Sequence, residues 1–278
     1  MKTVSAGGYR LAEGARWVAG RLVFVDILDG RLYEVVDGHT RLLADLDVPL
    51  GAVAPVEGSP GRWICAAGTG IALLDADGRL DWLARLEDDA PQPRRMNDGV
   101  CDPSGRFWAG SMAYDETPGA GSLYRTDADG SVTRVLDSIT ITNGPAFTAD
   151  GRRMYVADSA AGWIHEFDID PASGEILDRR EFTVIDDANP DGMIVDLEGR
   201  LWNAVWGGSA VRCYAPDATL LREIEVPARQ PTSVCLADGQ LFVTTARDGL
   251  SDPAETEGAV VSLPVDAQAP PATAYRPA

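Results

Sequence analysis

The sequence predicts an all-β protein, a six-bladed β-propeller in which every blade has four strands. The first observation behind this prediction is a set of turn glycines that recur along the chain, at Gly20, Gly61, Gly105, Gly151, Gly199 and Gly239. Their spacings are 41, 44, 46, 48 and 40 residues, and four short strands repeated at about 40–50 residues are typical of propeller blades. The second observation is that no window of about ten residues shows helical periodicity. A two-sheet sandwich, the main structural rival, does not explain six near-equal periods.

Each repeat unit contains the same succession of short runs. A polar residue followed by an apolar run such as Gly192–Asp196 predicts the first strand, and a tight turn such as Asp150-Gly151 comes next. Aromatic and β-branched runs predict the second strands, at Leu22–Ile27, Trp63–Ala66, Phe107–Met112, Met154–Ala157, Leu201–Trp206 and Leu241–Thr245. Similar runs predict the third strands, at Arg31–Val36, Gly70–Leu74, Gly121–Thr126, Trp163–Ile169, Ala210–Ala215 and Ala259–Pro264. Weaker runs such as Ser131–Leu136 predict the fourth strands.

The two ends of the chain carry different expectations. Alternating apolar residues near the start, Val4, Tyr9 and Leu11, predict a strand that completes the last blade of the ring. The tail from Asp266 to Ala278 is rich in Pro and Ala, and we expect surface chain or a strand that ends in disorder. Because no linker interrupts the repeats, residues 1–278 are expected to form a single propeller domain.

Composition and charge exclude several classes of partner. The formal net charge is −19 and Lys2 is the only lysine, so neither nucleic acid nor a membrane surface is expected as a partner, and a lysine nucleophile is excluded. Cys65, Cys101, Cys213 and Cys235 lack metal-binding spacing and are expected to be buried apolar residues. No apolar run approaches membrane-spanning length, and we expect a reducing, cytoplasmic location. Nothing in the sequence predicts the oligomeric state.

Polar residues at one phase of the repeat predict a metal site. The residues eight positions before each turn glycine, or seven in the first unit, are Glu13, Val53, Asn97, Asn143, Asp191 and Pro231. Because the first strand of a blade lines the central channel, we expect the four oxygen-bearing side chains to converge there. Such a set suits one hard or borderline divalent cation. Each residue alone would also fit an ordinary turn or a solvated loop, and only the shared phase favours a site.

Histidine chemistry is not expected at this site. The chain has two histidines, His39 and His165, and neither occupies the phase of the polar residues. A Ser-His-Asp triad and a His-rich zinc site are therefore both disfavoured.

Six segments of the chain together resemble the SMP-30/gluconolactonase/luciferin-regenerating enzyme family, also called regucalcin-like lactonases. They are LAEGARW (11–17), RRMNDGVCDPSGRFWAGSM (94–112), GSLYR (121–125), ITNGPAFTADGRRMYVADS (141–159), NPDGMIVDLEGRLWNAVWGG (189–208) and TTARDGLSD (244–252). The resemblance covers nearly the whole chain. It implies a six-bladed propeller with one divalent cation in the channel, and hydrolysis of a sugar-derived lactone to the aldonic acid.

The resemblance also implies which residues bind the cation and which carry out proton transfer. Glu13, Asn143 and Asp191 match metal ligands of the family, and Asp191 matches the residue proposed as the acid or base. The cation would stabilise charge on the lactone carbonyl while Asp191 removes a proton from the attacking water. A water activated by the cation is the alternative nucleophile, and the sequence does not choose between the two. The cation is left open among Ca, Zn, Mg, Mn and Fe(II).

The same resemblance implies which residues contact the substrate, a small-molecule sugar lactone. Arg95 and Asn97 match substrate-contacting residues, and Asp115 falls where animal members of the family have a glutamate in the segment MAEE. Two other functions remain open on this scaffold. One is an organophosphate or aryl-ester hydrolase, in which the cation would polarise a phosphoryl oxygen, and the other is a calcium-binding protein without catalysis.

Overall fold

Short runs bounded by glycine turns form 24 β-strands and a single 3₁₀-helix, Ser159–Ala161, in the computed structural model, which describes all 278 residues. The strands form six separate antiparallel sheets of four strands each, and the sheets are arranged as the blades of a ring. The predicted six-bladed β-propeller is therefore confirmed. No helix is long and apolar enough to cross a membrane.

The blades follow one another along the chain after a first strand, β1 (Lys2–Ser5), that stands apart from them. Blades one to three consist of β2 (Ala12–Val18), β3 (Arg21–Asp26), β4 (Arg31–Val36), β5 (His39–Asp45); β6 (Leu50–Pro55), β7 (Trp63–Ala67), β8 (Gly70–Leu74), β9 (Leu80–Arg85); and β10 (Arg94–Cys101), β11 (Phe107–Ala113), β12 (Gly121–Thr126), β13 (Val132–Ile139). Blades four to six consist of β14 (Thr142–Phe147), β15 (Arg153–Asp158), β16 (Trp163–Ile169), β17 (Ile176–Val184); β18 (Asn189–Val195), β19 (Leu201–Trp206), β20 (Ala210–Tyr214), β21 (Leu220–Glu225); and β22 (Pro231–Ala237), β23 (Gln240–Thr245), β24 (Val260–Pro264).

The ring is closed by pairing between the two ends of the chain. β1 pairs antiparallel with β24, with Lys2 opposite Ser262 and Ser5 opposite Val260. The strand order of this blade is β1-β24-β23-β22, so β1 is its outermost strand. The prediction that the N-terminal strand completes the last blade is confirmed, and closure leaves no long, unpaired sheet edge within the ring.

The core lies between neighbouring blades. One apolar cluster combines Val25 and Leu32 of blade one with Leu50, Cys65 and Leu74 of blade two, and each of these side chains is fully buried. Full burial of an aliphatic side chain of this size contributes about 1.5–3 kcal/mol. Inner strands such as β7 are therefore buried on both faces, whereas the outer strand β21 is almost entirely exposed. All four cysteines are free thiols within this buried interior, as predicted.

The C-terminal tail differs from the predicted disorder. Its backbone bonds to three blades in turn: Ala272 donates to the carbonyl of Trp17 at 3.1 Å, Tyr275 to Pro55 at 2.8 Å, and Arg276 to Gly105 at 3.0 Å. The ring of Tyr275 is only 2% exposed and packs into the apolar cluster between blades two and three. Proline and alanine content indicated a chain without regular structure, but one buried aromatic side chain is enough to hold it against the propeller.

Candidate active site

All six innermost strands are interrupted near their first residues. Pairing with the second strand shifts register between Glu13 and Arg16, Leu50 and Ala52, Met96 and Gly99, Asn143 and Ala146, Pro190 and Met193, and Pro231 and Val234. Such bulges bend a strand and redirect its side chains. The predicted polar residues Glu13, Asn97, Asn143 and Asp191 all lie at these irregularities, which explains why one phase of the repeat carries them.

These four polar residues line a single cavity of about 340 Å³. Their exposed fractions are 3% for Glu13, 4% for Asn97, and 5% each for Asn143 and Asp191. The other residues of the lining that matter below are Arg95, Tyr114, Glu116, Trp206 and Asp248. The sequence-predicted convergence of Glu13, Asn143 and Asp191 on one place is therefore observed.

In blade two, the backbone of the inner strand, and not a polar side chain, lies beside the four polar residues. A Cβ atom on Gly51 would overlap the carbonyl oxygen of Asn97, so only glycine allows the two inner strands to approach this closely. Val53, the residue at the repeat phase in blade two, packs instead into the apolar cluster with blade one.

Glu13 and Asp191 form a buried pair of carboxyl groups. The backbone N–H of Gly14 donates to Glu13 Oε2 at 2.7 Å, while Asp191 Oδ1 has no hydrogen-bond partner in the protein. Burial raises the pKa of Glu13 to about 8, and the negative charge of Asp98 adds to the effect. Burial also raises the pKa of Asp191 well above its ordinary value. The negative charge of Glu13 and a hydrogen bond with Glu13 raise this pKa further. The pair therefore takes up a proton or a compensating positive charge near neutral pH.

A chain of hydrogen bonds that runs in one direction orients the two asparagines. Arg95 Nη1 donates to Asn97 Oδ1 at 2.5 Å, and Asn97 Nδ2 donates to Asn143 Oδ1 at 2.7 Å. Asn143 Nδ2 then donates to Ser159 Oγ at 2.8 Å, and that hydroxyl donates to the carbonyl of Pro190 at 2.6 Å. Because both Nδ2 groups are occupied as donors, the amide orientations are defined, and Asn143 Oδ1 keeps one lone pair for a further partner.

Glu13, Asn143 and Asp191 are the residues that could hold a metal ion. No three carboxylate, imidazole or thiolate side chains are placed so that they could hold one metal ion between them, so such a site depends on the amide oxygen of Asn143 beside two carboxylates. The donors are all oxygens, and one of them, Asp191 Oδ1, is buried without a partner. This donor set fits a hard cation that accepts carboxylate, amide and water oxygens.

Arg95 is the only cationic side chain in the lining of the cavity. It is 6% exposed, and burial lowers its pKa, opposed by the nearby charges of Glu13, Asp191 and Asp248. An arginine nevertheless stays charged at neutral pH. Its Nη1 atom also donates to the carbonyl of Met96 at 3.1 Å, so the guanidinium is held rigidly beside Asn97.

Asp115 is the predicted site residue that the structure does not place in the cavity. Its Oδ1 atom accepts hydrogen bonds from the backbone N–H and the hydroxyl of Thr117, at 3.1 and 2.8 Å, and these bonds lower its pKa. The next residue, Glu116, lines the cavity instead, with a backbone φ of 53°. The match to the family segment pointed to Asp115, but the turn after β11 bends between the two residues and brings Glu116 to the cavity.

Three residues that support the site were not predicted as part of it. Asn203 is fully buried and donates to the carbonyl of Asp191 at 2.8 Å. Arg16 forms a buried ion pair with Asp98 at 3.2 Å, although the two are 82 positions apart. None of the three carried a sequence signal, because their partners are set by the ring and not by local spacing.

Comparison with known proteins identifies the family. The family model for the SMP-30/Gluconolactonase/LRE-like region matches residues 11–247. The chain belongs to the SMP-30/gluconolactonase family. The match includes every predicted site residue, and it confirms the resemblance seen in the sequence.

Members of the SMP-30/gluconolactonase family similar to this chain carry several names. An L-arabinolactonase of Azospirillum brasilense is 36% identical, with 88% of this chain and 83% of the relative covered. A pentonolactonase of Haloferax volcanii is 35% identical, with 85% and 82% covered. The crystal structure of a calcium-binding protein, regucalcin, from Agrobacterium tumefaciens has a TM-score of 0.91 at 30% identity and covers 99% of this chain and 97% of its own.

Proposed function

We propose that the protein is a lactonase that hydrolyses a sugar-derived lactone to the corresponding aldonic acid, with one divalent cation bound in the channel. The observation that carries this proposal is the buried carboxyl pair Glu13 and Asp191, which shares its cavity with Arg95 and Asn97. The similarity to proteins named L-arabinolactonase and pentonolactonase supports the same class of substrate.

Glu13, Asn143 and Asp191 would hold the cation. Two carboxylates neutralise the charge of a divalent ion, and the amide oxygen of Asn143 is already oriented by its bond from Asn97. When bound, the cation supplies a positive charge that polarises the lactone carbonyl. Calcium and magnesium suit this oxygen-only set of ligands best.

Asp191 acts as the proton carrier of the reaction. Its carboxylate accepts a proton from water while the water oxygen forms a bond to the carbonyl carbon. The bond between that carbon and the ring oxygen then breaks, and Asp191 returns the proton to the ring oxygen, which becomes a hydroxyl group. Burial, which raises the pKa of Asp191 above its ordinary value, suits a group that must first accept and then donate a proton.

Arg95, Asn97 and Glu116 bind the hydroxyl groups of the substrate. The guanidinium of Arg95 supplies hydrogen-bond donors, and the carboxylate of Glu116 supplies acceptors on the cavity lining. Tyr114 and Trp206 form part of the wall, where flat apolar surfaces pack against the C–H face of a sugar ring. This mixture of polar and apolar groups suits a neutral polyol better than an aryl ester or an organophosphate.

The proposal is tested by acid release from the lactones of gluconic, arabinonic, xylonic and galactonic acids. After chelation, each assay is repeated with Ca, Mg, Mn, Zn or Fe(II). Asp191→Asn is expected to lose at least about a hundredfold in kcat, since it removes the proton carrier. Asp187→Asn, an exposed change in the same blade that loses only an ion pair with Arg212, serves as the control. Near-normal turnover by Asp191→Asn would exclude it as the base, and no release with any pairing of lactone and metal would refute the lactonase.

A second candidate function is calcium binding without catalysis. It is favoured by the similarity to a structure described as a calcium-binding protein, regucalcin. The two candidates differ in one measurement. A calcium-binding protein without catalysis would bind calcium through Glu13, Asn143 and Asp191 and release acid from no lactone.

A further inference from the structure

Asp248 is a carboxylate of the cavity lining that the proposed reaction leaves without a role. It follows β23 in the segment TTARDGLSD and lines the same cavity as Arg95 and Asn97. Its side chain is 43% exposed, whereas Arg95 and Asn97 are 6% and 4% exposed. Asp248 therefore lies at the mouth of the cavity, where an entering substrate meets it before it reaches the buried carboxyl pair.

Arg10 holds Asp248 in place across the junction between blades six and one. Arg10 Nη2 donates to Asp248 Oδ1 at 3.1 Å. The backbone N–H groups of Arg247 and Asp248 both donate to the carbonyl of Arg10, at 3.1 and 3.0 Å. The N–H of Arg10 in turn donates to Asp26 Oδ2 at 2.9 Å. Asp248 Oδ2 makes no hydrogen bond within the protein, so this positioned carboxylate keeps a free acceptor.

The charges around the cavity are unequal. Its lining contains four carboxylates, Glu13, Glu116, Asp191 and Asp248, and one guanidinium, Arg95. A divalent cation held by Glu13 and Asp191 would offset two of the four carboxylates. Arg10 pairs with both Asp248 and Asp29, so it offsets the charge of Asp248 only in part. Glu116 and the remaining charge of Asp248 then outweigh Arg95, so an anionic group that enters the mouth is repelled while hydroxyl donors are accepted.

We infer that Asp248 is a specificity-determining residue, which accepts a hydrogen bond from a hydroxyl group of a neutral sugar lactone and disfavours lactones that carry an additional negative charge. The inference rests on the proposed lactonase function and assigns a substrate preference to the same site. Arg10 is the positioning residue, because it acts only through Asp248.

The test compares Asp248→Ala and Asp248→Asn with a matched control. Asp29→Asn is that control, because Asp29 also pairs with Arg10, at 3.6 Å, but is not part of the cavity lining. For a neutral aldonolactone, Asp248→Ala should raise KM about tenfold and change kcat by less than about twofold, as expected for the loss of a charge-assisted hydrogen bond in substrate binding. Asp248→Asn retains an acceptor oxygen and should raise KM less.

An anionic substrate separates the role of the charge from that of the hydrogen bond. Saccharic acid 1,4-lactone carries a free carboxylate. In both Asp248 variants, the ratio of its kcat/KM to the kcat/KM of the neutral lactone should rise about fivefold above the wild-type ratio, because a repelling charge has been removed from a partly hydrated position. The Asp29→Asn control should keep the wild-type ratio. An unchanged ratio in both Asp248 variants contradicts the proposed selection by charge.

Binding of an unreactive polyol provides a readout without turnover. The probe is 1,5-anhydroglucitol, measured by calorimetry on cation-loaded protein, and Asp248→Ala should weaken its binding about tenfold while Asp29→Asn leaves it unchanged. Equal KM and equal polyol binding in these two variants overturn the role of Asp248 and leave the lactonase proposal intact. A wild-type protein that binds the polyol but hydrolyses no lactone refutes the lactonase alone. Failure of both binding and turnover refutes both.

Discussion

Removal of one ionisable group from the carboxyl pair should stabilise the protein once divalent cations have been stripped by chelation. The change is Glu13→Gln, which keeps the size of the side chain and an oxygen to accept the Gly14 N–H at 2.7 Å. The folded-state pKa of Glu13 is about 8, against 4.5 for an ordinary glutamate. A raised carboxyl pKa contributes stability that is fully present below pH 4.5 and is lost as pH rises through 8. Neutral pH therefore lies within the window where the wild-type side chain destabilises the fold.

The magnitude follows from the pKa difference. Each pH unit above 4.5 costs about 1.4 kcal/mol for a group that is protonated in the folded state and ionised in the unfolded state. At pH 7 the wild-type protein should lose about 3 kcal/mol relative to its stability at pH 4.5, a loss that an uncharged glutamine avoids. Screening by solvent does not reduce this figure much, because Glu13 is only 3% exposed.

Urea unfolding at pH 5 and pH 7 measures the effect. The two proteins should have similar free energies of unfolding at pH 5, and the variant should be the more stable at pH 7. Calcium should reverse the order at pH 7, since a ligand that binds only the folded state stabilises it by mass action and the variant lacks one of the three side chains proposed to hold the cation. Glu87→Gln is the control, because Glu87 is a buried carboxylate paired with Arg94 at 2.9 Å, where loss of charge should destabilise. A Glu13→Gln protein no more stable than wild type at pH 7 would refute the buried-pair argument.

Two further predictions concern the scaffold. Asp196→Ala should lower the free energy of unfolding by about 3 kcal/mol, because Asp196 accepts hydrogen bonds from the Trp202 indole at 2.8 Å, from Arg200 Nε at 2.6 Å and from two backbone N–H groups. Urea unfolding followed by tryptophan fluorescence measures it, and a loss below about 1 kcal/mol would contradict the structural role. Tyr275→Ala should cost about 3 kcal/mol through its buried ring, whereas Tyr275→Phe should cost about 1 kcal/mol through one hydroxyl bond. Equal losses in the two Tyr275 variants would show that the ring does not anchor the tail.

The architecture could be predicted from sequence because its determinants are local and repeated. Four predicted third strands have the same bounds in the structure: Arg31–Val36, Gly70–Leu74, Gly121–Thr126 and Trp163–Ile169. A turn glycine and an alternating run are sufficient to define each of these strands. The convergence of Glu13, Asn143 and Asp191 was predictable for the same reason, since equivalent positions of a ring face one axis.

The features that could not be predicted from the sequence depend on contacts between distant parts of the chain. Asp115 was predicted from its position in a motif, and such a position does not specify how a turn bends. Disorder of the tail was inferred from composition, which does not reveal that Tyr275 finds a buried place between two blades. The ion pair of Arg16 with Asp98 joins blades one and three, and no spacing rule connects them.

The pairing of β1 with β24 has a consequence for how this protein is made. Lys2 to Ser5 leave the ribosome long before their partners, Val260 to Ser262. The sixth sheet therefore cannot be completed until those partners have been synthesised, although its outermost strand was made long before. A circular permutant that begins between blades would remove this delay, because all four strands of every sheet would then emerge consecutively.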